Sequence, residues 1–72
     1  MEAREIRAWT TEELQGRLDD AYRELFTLRR ELSMGRLEDH NRLRGVKRDI
    51  ARMRTILRER ELMVELVEEA AG

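Results

Sequence analysis

Leu14, Leu18, Ala21, Leu25, Leu28 and Leu32 are spaced 4, 3, 4, 3 and 4 positions apart, which suits one narrow stripe of an α-helix and no β-strand. A second set, Leu43, Val46, Ile50, Met53 and Leu57, is spaced 3, 4, 3 and 4. Two apolar seams of nearly equal length therefore dominate the chain, and each needs another helix to cover it. Thr10 marks the start of the first helix: its hydroxyl can cap free backbone N–H groups while Glu13, three residues on, reaches back as in a capping box. Trp9 and Leu14 fall where a hydrophobic staple would close. Ser33-Met34-Gly35 marks the stop, because Gly35 can take the left-handed conformation without a Cβ penalty. Asp39 or Asn41 is placed to cap the second helix.

Helix one over 11–33 and helix two over 40–60 each run roughly 30 Å at 1.5 Å per residue. A connector of about six residues between equal rods favours antiparallel neighbours. The expected fold is all-α, an antiparallel two-helix hairpin forming a single domain over 1–72. Its parts are an N-terminal segment 1–10, the two helices, a turn 34–39 and an extension 61–72. Parallel pairing with a second chain is the other arrangement the seams allow, and Gly35 in a short polar connector speaks for reversal. Two helices share one interface, so the free chain is expected to be marginally stable and completed by a partner.

Residues 61–72 admit two readings. Val64, Val67 and Ala71 continue the second seam after a break at Arg60, so a helix could overrun helix one by about three turns, covered by a short helical element carrying Ala3, Ile6 and Trp9. Alternatively the segment is a solvated, partly frayed tail.

The side-chain inventory excludes most chemistry. The chain has no Cys or Pro, one His, one Ser and three aromatics. No disulfide, metal-ligand cluster or catalytic triad can be assembled within it. No Gly-rich phosphate loop exists, and Asp19 and Asp20 point about 100° apart on a helix, so they are no catalytic pair. No cofactor, metal, small-molecule substrate or enzymatic activity is expected. The longest apolar run, Leu62 to Val64, is far too short to span a bilayer. With no signal-peptide pattern either, the cytoplasm is the default expectation.

Charge is distributed in three blocks. Residues 1–28 hold four basic and seven acidic side chains, 29–60 hold eleven and five, and 61–72 hold none and four. The net charge of −1 conceals a strongly basic middle. Fourteen of the fifteen cations are Arg, the planar multi-donor cation suited to phosphate, although GC-rich coding also produces Arg. With Val46 at 0° on the wheel of helix two, Arg54, Lys47 and Arg58 fall at about 80°, 100° and 120°. Arg44, Arg48 and Arg52 fall at about 160°, 200° and 240°. Ala51 and Thr55, near 140° and 180°, form a low floor in this arc, over which a phosphate backbone could approach with the Thr55 hydroxyl assisting. A hydrated surface helix is the plainer reading of the same arc.

Phe26 lies roughly 120° from the seam of helix one, with Tyr22 and Arg29 beside it. It is either a singly exposed apolar residue or an anchor in a partner protein or against RNA. The expectation is a partner, with Tyr22 and Phe26 as protein contacts.

The stretch Arg23-Glu-Leu-Phe-Thr-Leu-Arg-Arg-Glu-Leu, then Gly35-Arg-Leu-Glu, then Arg42-Leu-Arg-Gly-Val-Lys-Arg-Asp-Ile-Ala-Arg-Met-Arg-Thr55 resembles ribosomal protein twenty-nine of the large subunit, bacterial type. The likeness covers about residues 2–60, and the family's fold is a helical hairpin. It implies a structural, non-catalytic ribosomal component that binds large-subunit ribosomal RNA near the polypeptide exit tunnel, beside ribosomal protein twenty-three. Proximity to trigger factor and the signal recognition particle follows. In that reading Arg44, Lys47, Arg48, Arg52, Arg54, Thr55 and Arg58 face RNA, with Arg29 and Arg36 assisting near the turn. The acidic extension and His40, where many members have Pro, depart from the family pattern. The competing function is an autonomous coiled-coil adaptor that binds a protein helix through its Leu seams.

Overall fold

Thr10 opens the first long helix as its side-chain oxygen accepts from the Glu13 amide at 3.0 Å. The reciprocal bond of a full capping box is not made; Glu13 stays solvated. The computed structural model describes residues 1–72 as three helices: α1 Ala3–Arg7, α2 Thr11–Ser33 and α3 His40–Ala71. Helix α2 ends in a Schellman turn. Gly35 takes φ 70°, the Arg36 amide donates to the Glu31 carbonyl at 2.8 Å, and the Gly35 amide donates to Leu32 at 3.0 Å. Asp39 caps α3 through one carboxylate oxygen that accepts from the Asn41 and Arg42 amides at 3.0 and 3.2 Å.

Helices α2 and α3 pack antiparallel, which places Glu24 beside Arg42 near the turn and Thr11 beside Arg60 at the far end. The Arg42 Nε donates to Glu24 at 2.6 Å. Leu14, Leu18 and Leu25 are buried against Leu43, Val46, Ile50 and Met53, with Ala21, Leu28 and Leu57 half-buried at the margins. Leu32 leaves the seam and is 45% exposed. Opposite it lies the connector rather than α3, and Leu37 packs on the core from there.

The third element corrects two expectations. First, α1 does not cover the extension. It docks on the flank of α3 opposite the hairpin turn, burying Ile6 completely and drawing in Ile56, about 280° on the wheel and outside the two-helix seam. Second, the break at Arg60 is a lock. Its guanidinium donates to the Trp9 carbonyl at 2.8 Å, the Arg7 carbonyl at 3.4 Å and the Thr11 hydroxyl at 3.1 Å, satisfying carbonyls at the end of α1. Arg17 lies over the Trp9 ring at 4.2 Å and secures the same corner. Arg60→Ala is expected to cost about 1.5 kcal/mol, a fall in Tm of roughly 6–12 °C in a thermal melt. An unchanged Tm would mean that Ile6 alone holds α1.

Beyond Arg60, α3 continues as a bare rod, so the extension is helical and not a frayed tail. Leu62, Met63, Val64, Leu66 and Val67 on it are all exposed. The molecule measures 54 × 21 × 16 Å. No helix is long and apolar enough to cross a membrane.

Candidate nucleic-acid interface

Docking α1 on one flank divides the hairpin into two unlike faces. The flank carrying α1 is charge-paired: Asp20, Glu24 and Asp49 line it together with Arg17 and Arg42. The opposite flank holds an open groove between α2 and α3. Tyr22, Phe26 and Arg29 form one wall, Lys47 and Arg54 the other, with Leu25, Ile50 and Ala51 beneath. No carboxylate lines it. The asymmetry follows from the helical wheels. On α2 the acids Glu13, Asp20, Glu24 and Glu31 lie about 180° from Tyr22, while Glu12 and Asp19, about 80° and 60° from it, stand nearer the start of the helix and outside the groove; on α3 no acid occupies the arc of about 80–200° between residues 44 and 58.

Internal partners sort the cations sharply. Arg4, Arg7, Arg23, Arg42 and Arg58 pair with carboxylates, Arg17 stacks on Trp9, and Arg60 is spent on backbone carbonyls. The side chains of Arg29, Arg30, Arg36, Lys47, Arg48 and Arg54 have neither an ion pair nor a hydrogen bond within the chain. An exposed cation without a partner keeps its full capacity for an external anion.

Each residue singled out from the sequence has a definite place. Arg29, Lys47 and Arg54 meet in the groove, and Arg48 stands exposed beyond its α3 wall. Arg58 lies further along, paired with Glu61 at 3.2 Å in an exposed contact worth less than about 1 kcal/mol, so it is readily released. Arg44 makes only a long 3.5 Å contact to Asn41. Arg36 sits apart at the turn, in a hollow it shares with Glu38 and Asp39.

Two expectations change. Arg52 is not part of the open arc, because its guanidinium turns toward α1 and donates to the Met1 carbonyl. The Thr55 hydroxyl is committed as a donor to the Ala51 carbonyl at 2.9 Å. Its one proton is therefore unavailable to phosphate, and what it offers is lone pairs, suited to a ribose hydroxyl or a base amino group. Tyr22 and Phe26, expected as protein contacts, line the same groove as Arg29, Lys47 and Arg54, above its apolar floor of Leu25, Ile50 and Ala51. Arg30 is the one unpartnered cation not singled out from the sequence. It lies beside Arg36 in the mixed-charge hollow at the turn, and no spacing signal marks it.

A family model described as Ribosomal L29 protein matches residues 4–60 and ends where the acidic extension begins. The chain is 50% identical over 64 residues to the large ribosomal subunit protein uL29 of Natranaerobius thermophilus, covering 89% of this chain and 98% of that protein. The protein of the same name from Streptomyces coelicolor is 50% identical over 68 residues, 94% of this chain and 92% of its own length. That of Thermoanaerobacter pseudethanolicus is 55% identical over 62 residues, 86% of this chain and 90% of its own.

Proposed function

The chain belongs to the ribosomal L29 protein family, and from that premise we propose that it is a structural, non-catalytic constituent of the cytoplasmic large ribosomal subunit that binds large-subunit ribosomal RNA through the α2–α3 groove. The observation that carries RNA binding is the groove with no carboxylate in its lining, where Arg29, Lys47 and Arg54, and Arg48 beyond the wall, have no internal partner. Leaving four cations unneutralised on one side of a chain with net charge −1 fits a polyanionic neighbour, and arginine-rich contacts to phosphate fix orientation without reading sequence. Arg44 and Arg58 extend the contact along α3, and Arg36 reaches RNA separately at the turn.

The finer placement rests on the family resemblance of residues 2–60: near the polypeptide exit tunnel, beside ribosomal protein twenty-three, in proximity to trigger factor and the signal recognition particle. The coiled-coil adaptor reading is less well supported, because the seams it would offer a partner helix are buried against each other.

Sedimentation of a tagged copy through a gradient tests the class. The expected result is co-migration with large subunits, lost on ribonuclease treatment. Migration in a protein-only complex would reject the ribosomal assignment for this chain.

A further inference from the structure

Phe26 is 68% exposed, far more than any other aromatic of the chain, and its neighbours across the groove are cations. We propose that Phe26 is a stacking platform for an unpaired nucleobase of the bound RNA, with Arg29, Lys47 and Arg54 holding the phosphates on either side of that nucleotide. This rests on the groove being the RNA-binding face.

The choice of occupant follows from charge. An apolar protein side chain seated on Phe26 would draw Arg29, Lys47 and Arg54 out of water with no carboxylate in the groove to meet them, and desolvating unpaired charges is strongly unfavourable. A nucleotide satisfies both features at once, bringing a π-face for the ring and an anion for the cations. The groove floor of Leu25, Ile50 and Ala51 is apolar, and Ala51 is small, so a flat base edge can descend beside the ring. The open groove offers about 440 Å³, more than a single ion or water would need. Paired RNA cannot offer a base face to the ring, because bases within a helix have both faces covered. The occupant is therefore a nucleotide of a loop, bulge or strand end.

Phe26→Leu keeps an apolar side chain of good helix propensity and removes only the π-face. Its measured affinity for protein-free large-subunit ribosomal RNA is expected to fall roughly tenfold to hundredfold. Affinity for a blunt RNA duplex should stay at the wild-type level, and Phe26→Trp should restore the ribosomal RNA affinity. Unchanged circular dichroism confirms that the fold is retained. Equal affinities of Phe26→Leu and wild type for ribosomal RNA, alongside a loss for Lys47→Glu with Arg54→Glu, would keep the RNA interface and overturn the stacking role. Phe26→Leu with normal RNA affinity but impaired assembly into subunits would overturn it in favour of a protein anchor. No binding of ribosomal RNA by the wild-type chain would overturn both the stacking role and the interface on which it rests.

Discussion

Replacing Lys47, Arg48 and Arg54 together by glutamate lowers affinity for large-subunit RNA by roughly three orders of magnitude and leaves the thermal melt unchanged. Each of the three lacks an internal partner, so its loss removes no contact that holds the fold. At about 1.5 kcal/mol for each charge-assisted contact, the three together account for about 4.5 kcal/mol, or about a thousandfold. The slope of log affinity against log salt should also flatten by about three, one for each phosphate released. Filter binding across a salt series measures both quantities. Arg52→Glu is the informative contrast: since Arg52 is turned to the Met1 carbonyl, its reversal should disturb the seating of α1 more than RNA affinity. Equal losses for Arg52→Glu and Arg54→Glu would erase the distinction between the two flanks.

Met53→Ala is expected to leave the isolated protein largely unfolded at 25 °C. Met53 is 1% exposed and lies where α1, α2 and α3 meet, with Ile6, Leu14 and Val46 among the buried residues of the same cluster. Truncating such a side chain costs about 2–5 kcal/mol. A single core in a chain below about 70–80 residues rarely supplies more than about 3–5 kcal/mol, so the loss is comparable to the whole stability. Met53→Leu, nearly equal in volume, should cost under about 1.5 kcal/mol. Met63→Ala, on the exposed rod, should leave the urea midpoint where it was. A cooperative, wild-type-like transition for Met53→Ala would show that the junction of the three helices is not where stability resides.

The parts of this structure that are written locally were legible in the sequence. The 4-3 spacing marks both seams, Thr10 and Asp39 are short polar side chains ahead of apolar runs, and Gly35 supplies the one positive φ. What the sequence left hidden depends on where α1 docks. A helix of five residues has too few turns to display a period, so its seat on α3 carries no pattern signal. The burial of Ile56, the carbonyl-binding role of Arg60 and the inward turn of Arg52 all follow from that seat. The exposure of Leu32 follows instead from α3 starting only at His40. The basic arc was readable as angles around one helix. Its division into engaged and unengaged cations was only partly so: Arg58 meets Glu61 at i+3 on its own helix, but Arg52 is engaged by the Met1 carbonyl, which depends on where the N-terminal segment lies. In the same way, Phe26 could be placed outside its own seam, but its cationic neighbours Lys47 and Arg54 belong to the other helix and depend on register across the hairpin.

Lys47 is the only lysine of the chain and lies in the groove wall, so its amine reports directly on what covers that face. Acylation of Lys47, followed by mass spectrometry of the free protein, of intact large subunits and of subunits digested with ribonuclease, gives the decisive comparison. If the groove lies against RNA, Lys47 reacts readily in the free chain, is protected in the subunit and becomes reactive again once the RNA is removed. Reaction in intact subunits at the rate of the free protein would contradict it.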